Sequence, residues 1–143
     1  MSSFTTPLLV KVLDDGKNYE ILEDFEYYRD KNKEAKISIK KGFITDFASV
    51  PRIFWSIFPP FGKYTKCAVL HDRLCEAYLN KESWDSLYAK GPLDLRDKSL
   101  VTRKEADFIF LESMKAIKIH SFTAYTLYFC VRGYAVVKYG FKA

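Results

Sequence analysis

The stretch Thr45-Asp46-Phe47-Ala48-Ser49-Val50-Pro51-Arg52 marks the point at which one sequence pattern gives way to another. Before it, polar and apolar residues alternate, as in residues 35–40, where Ile37 and Ile39 share one face of a half-buried strand. After Pro51, apolar residues recur at the three- and four-residue spacing of helices. The sequence therefore predicts an α+β fold, in which N-terminal antiparallel β-hairpins form a small sheet that packs against about three C-terminal helices.

The pattern also predicts the bounds of these elements. We expect strands over residues 8–13, 19–22, 25–28, 35–40 and 43–45, and helices over 64–79, 102–117 and 121–139, with one helical turn near Trp84. Thr102 and Glu105 fit a capping box, and Ser121 fits the start of the last helix. That helix is apolar on nearly all sides, which predicts a central position. We expect a single domain over 1–143, β-rich in 5–46 and helical in 51–140.

Composition narrows the class of protein. With 143 residues, 48% of them hydrophobic and 17% aromatic, the chain can bury a substantial core. Its net charge of +5 suits either a solvated face or an anionic polymer, and no recognition helix predicts specific nucleic-acid binding. The N-terminus lacks the pattern of a signal peptide, and Arg132 interrupts the longest apolar run, so we predict no membrane span. The three cysteines are expected to be reduced core residues.

The adjacent pair His71-Asp72 is the strongest indication of chemistry. His71 is one of only two histidines, and it lies in an apolar run in which an imidazole needs a polar partner. On a helix His71 points inward, whereas Asp72 lies at the border of that face. Asp46, in the stretch that precedes Pro51, and Asp107, on a later helix, are the acidic residues expected to join them.

A divalent metal site is one interpretation of these residues. Asp46, His71, Asp72 and Asp107 would suit Zn²⁺, Mg²⁺ or Mn²⁺, and such an ion would activate water for hydrolysis. A second zinc set, Cys67, His71 and Cys75, is unsuitable because its outer members lie about 12 Å apart along a straight helix. The alternative interpretation is a closed ionic cluster without turnover, which includes Arg52 and Arg132.

Three further residues are candidates for contacting a substrate. Arg52 and Arg132 could hold an anion through the guanidinium fork, and Arg132 lies in an apolar helix where its charge needs a partner. Ser49 could act with His71 and an aspartate as a nucleophile. The chain has no Gly-x-Ser-x-Gly elbow around Ser49, so this hypothesis lacks supporting context.

Several motifs together resemble the bacterial and phage domain-of-unknown-function family numbered 1353. The resemblance covers roughly residues 40–140 and rests on residues 45–52, Trp55, Pro59-Pro60, Gly62, Tyr64, residues 68–72, Arg103, Ala106-Asp107, Phe110, Val131-Arg132, Tyr134 and Gly140. It implies a phage or prophage origin and no particular mechanism. The chain departs from the family pattern at Cys75, where an aromatic residue is usual, and in a longer connection across residues 80–100, which weakens Cys75 as a ligand.

Three functions remain open from the sequence. The first is a phage-encoded, metal-dependent hydrolase of cell-wall peptide or a phosphoester, with His71, Asp72 and Asp46 as catalytic residues. The second is a non-enzymatic virion, tail or assembly protein that contacts other phage structural proteins and in which the same cluster is structural. A small binding protein directed at the host is a third. The expected location is the host cytoplasm during infection, the virion, or both.

Overall fold

The computed structural model describes residues 3–4, 8–15, 18–29, 32–45, 65–87 and 99–143. Their strands form two antiparallel three-stranded sheets, in the orders β1-β4-β5 and β2-β3-β6. The strands are β1 (Ser3–Phe4), β2 (Val10–Val12), β3 (Tyr19–Ile21), β4 (Phe25–Arg29), β5 (Asn32–Ile39) and β6 (Ile44–Thr45). The helices are α1 (Thr65–Leu79), α2 (Trp84–Leu87), α3 (Arg103–Ala116) and α4 (Ser121–Tyr139). The predicted α+β class, with strands first and helices afterwards, is confirmed.

The alternating pattern correctly predicts the strands around the main core. Ile37 and Ile39 are buried at 1% and 0% exposure, and β5 pairs with β4 so that Phe25 lies opposite Ile39 and Tyr27 opposite Ile37. These four side chains form a continuous core with α1 and α3. Burying large side chains of this kind supplies about 1.5–3 kcal/mol each, so this contact anchors the sheet to the helices.

A second core lies on the far side of α3. Phe110 and Met114 of α3 pack there against Leu127 and Val131 of α4, together with Cys67 of α1. α1 and α3 therefore contribute to both sides of the helical layer, and polar residues in their interface are cut off from water.

The sequence predicts the N-cap of α3 correctly and that of α4 incorrectly. Thr102 caps α3 with the predicted capping box, in which its hydroxyl oxygen accepts from the Glu105 N–H. For α4 the predicted cap at Ser121 is wrong: His120 is the N-cap, and its Nδ1 accepts from the Phe122 N–H at 3.3 Å. An imidazole nitrogen here satisfies one of the free N–H groups of the first turn.

The predicted central position of α4 is also wrong for this chain. One side of α4 packs in the second core, but Phe122, Phe129 and Val137 on the other side are 69%, 65% and 89% exposed. Among the described residues, no helix combines the length and the apolar character that crossing a membrane requires. All three cysteines are free thiols.

Candidate functional site

Helical spacing brings four charged or titratable side chains into the interface between α1, α3 and α4. His71 lies on the inner face of α1, one turn before Cys75. Arg103 and Asp107 lie one turn apart on the inner face of α3, and Arg132 lies on α4. Residues four apart on a helix are neighbours on its surface, so each helix presents its residues together. We call His71, Arg103, Asp107 and Arg132 the Asp107 cluster.

Asp107 is the centre of this cluster and is fully buried. Its Oδ1 accepts hydrogen bonds from His71 Nε2 at 2.6 Å and from Arg103 Nε at 2.9 Å. Its Oδ2 accepts from Arg132 Nη1 at 2.8 Å. Because an ionised carboxylate only accepts, His71 must carry its proton on Nε2. One carboxylate thus joins three helices through three charge-assisted bonds.

His71 is 2% exposed and is held on two further sides. Its ring stacks on Phe110 with centroids 4.8 Å apart, and Cys75 Sγ lies 3.4 Å from Nε2. Burial by itself lowers the pKa of His71, but contact with the Cys75 sulfur and with the Asp107 carboxylate outweighs it and raises that pKa from 6.5 to about 9. The raised pKa therefore favours the protonated, cationic imidazole.

The pKa of the Asp107 carboxyl group shifts in the opposite direction to that of His71. Burial tends to raise the pKa of Asp107, but the hydrogen bond and the charge of His71, reinforced by Arg103, lower it below its ordinary value. Arg103 is 6% exposed, and its guanidinium lies 5.8 Å from the ring centre of Tyr134 and 5.9 Å from that of Tyr139. These aromatic faces stabilise the cation on the side away from Asp107.

Asp72 makes a different contact from His71. It is half-buried, and its Oδ2 accepts a hydrogen bond from the hydroxyl of Thr45, the last residue of β6. The contact ties the end of β6 to α1. The predicted site residues that follow Thr45, namely Asp46, Ser49 and Arg52, lie outside the described residues.

The structure therefore brings together three of the predicted site residues, His71, Asp107 and Arg132. Sequence reasoning missed Arg103, although an arginine four residues before an aspartate on one helix was a readable signal. Sequence reasoning also argued against Cys75 as a metal ligand. The straight-helix argument against binding both Cys67 and Cys75 does not apply to His71 and Cys75 alone, which are one turn apart.

One group among the described residues could hold a metal ion. Ligand atoms of His71, Cys75 and Asp107 all lie within 4.8 Å of one another. Nitrogen, sulfur and oxygen donors together suit Zn²⁺ better than Mg²⁺ or Mn²⁺. The group differs from the predicted set, since Cys75 takes part and Asp72 does not. The same Asp107 oxygens already accept from Arg103 and Arg132, whose charges oppose a dication.

The comparisons with known proteins agree with the motifs. A family model described as "Protein of unknown function (DUF1353)" matches residues 19–131, which run from β3 into α4 and include His71, Arg103 and Asp107. The match confirms the resemblance inferred from the sequence. No curated protein and no solved structure matches the chain.

Proposed function

The chain belongs to the DUF1353 family, and we propose that it is a non-enzymatic phage or prophage protein whose Asp107 cluster holds three helices in one arrangement. The observation that carries this proposal is the saturation of Asp107. Both of its oxygens have cationic donors, the donors come from α1, α3 and α4, and the carboxylate is fully buried.

The donors around Asp107 support a structural role. Arg103 and Arg132 bring two positive charges to the carboxylate, and the raised pKa of His71 favours a third. The protonated imidazole, which the raised pKa of His71 favours, is the form that best binds Asp107.

Replacing the central carboxylate tests the proposal. Asp107→Asn removes the counter-charge of two buried groups, His71 and Arg103, and of the half-buried Arg132, so we expect the free energy of unfolding to fall by about 3–5 kcal/mol. The matched control is Asp24→Asn: Asp24 pairs with Lys40 at 3.7 Å, but its side chain is 52% exposed, and the expected loss is below about 1 kcal/mol. Urea unfolding followed by circular dichroism measures both. Equal losses in the two variants would contradict the structural role of Asp107.

A second function is favoured by the metal-binding group of His71, Cys75 and Asp107. Three protein ligands with a fourth position open to water are typical of catalytic zinc. Bound zinc would lower the pKa of that water and polarise a carbonyl or phosphoryl oxygen. In such a hydrolase of cell-wall peptide or phosphoester, Arg103 and Arg132 would orient Asp107, while Asp46, Asp72, Ser49 and Arg52 would be the further candidates at the site.

Zinc stoichiometry separates the two functions. The hydrolase predicts one zinc per chain in the wild-type protein, loss of that zinc in Cys75→Ala, and its retention in Asp72→Asn, because Asp72 is outside the group. The structural role predicts substoichiometric zinc in all three proteins. Inductively coupled plasma mass spectrometry of protein purified without chelators gives the answer.

The proposed location is the virion or the host cytoplasm during infection. A virion component is expected to co-sediment with purified phage particles and to resist a salt wash. Recovery only in the soluble fraction of infected cells would contradict the virion assignment.

A further inference from the structure

We draw no further inference here: the strongest candidate, the half-buried thiol of Cys75 on α1, whose Sγ lies 3.4 Å from His71 Nε2, belongs to the group of His71, Cys75 and Asp107 already described as able to hold a metal ion.

Discussion

At the residue scale, Asp107 contacts side chains of α1, α3 and α4 at once. Its carboxylate accepts from His71, Arg103 and Arg132, and an isolated charge at this depth would cost several kcal/mol without those partners. A shifted helix would leave these buried charges unpaired, so the proposed structural role includes selecting one arrangement of the helices.

The His71–Asp107 pair predicts a specific pH dependence. The pKa of His71 is about 9 in the folded protein and 6.5 otherwise, so its contribution is complete below pH 6.5 and is lost as the pH rises to 9. The pKa of Asp107 is lowered from 3.8, so its contribution is present above pH 3.8 and is lost as the pH falls further. Maximal stability is therefore expected between about pH 4 and 6.5.

Urea unfolding across this range checks the prediction. Between pH 6.5 and 9 the wild-type protein should lose on the order of 3 kcal/mol of unfolding free energy. His71→Gln cannot titrate, and its stability should be lower at pH 6 and flatter through the same interval. Parallel profiles for the two proteins would assign the alkaline loss to other groups.

At the element scale, the start of α3 is set by a capping box formed by Thr102 and Glu105. The Thr102 hydroxyl oxygen accepts from the Glu105 N–H at 3.1 Å, and the Glu105 carboxylate accepts from the Thr102 N–H at 3.3 Å. This capping box fixes the first turn of the helix that carries Arg103 and Asp107, so it also positions the Asp107 cluster.

Removing the Thr102 cap should lower the free energy of unfolding by the amount typical of losing one side-chain hydrogen-bond acceptor. We expect Thr102→Ala to lower the free energy of unfolding by about 1 kcal/mol, and Thr102→Ser to retain most of it. Thermal unfolding followed at 222 nm measures both. If alanine and serine have the same effect, the loss does not come from the cap.

Local rules of this kind explain what the sequence could predict. Alternation placed Ile37 and Ile39 on the buried face, and the Thr102–Glu105 spacing located the start of α3. Each of these two signals involves residues that are close together in the chain, so no tertiary information is needed to recognise it.

The errors concern interactions between distant elements. Arg103 is the exception, because its bond to Asp107 lies within α3 and could have been predicted from the four-residue spacing. The predicted central position of α4 was wrong because an apolar pattern does not by itself show that every side of a helix is buried: Phe122, Phe129 and Val137 are exposed. Asp72 differs from its neighbour His71 because a rotation of about 100° per residue turns it toward β6.

At the scale of the whole molecule, burial and long-range hydrogen bonds join the strands to the helices, and the bond from Thr45 to Asp72 is one of them. Tyr27 of β4 is fully buried, and its hydroxyl donates to Glu112 Oε1 of α3 at 2.7 Å. The bond connects the sheet to the helix that carries Asp107, although the two residues are far apart in the chain.

Tyr27→Phe should therefore weaken the whole molecule. The ring stays buried and only the hydroxyl is lost, so we expect a decrease of about 1.5–3 kcal/mol in unfolding free energy, typical of a bond to a charged group. Tyr125→Phe, at a 37% exposed position on α4, is the control and should change stability little. Unfolding should remain a single transition in near- and far-ultraviolet circular dichroism, because the main core is continuous between sheet and helices.

The central claim is that Asp107 holds the helices together through protein cations and without a metal ion. The most direct test compares urea unfolding of the wild-type protein at pH 7 after dialysis against a chelator with unfolding in excess zinc. The account predicts the same midpoint in both solutions, because His71, Arg103 and Arg132 supply the charges that Asp107 needs. A midpoint that rises with zinc, and that no longer does so in Cys75→Ala, would contradict it and identify a zinc site.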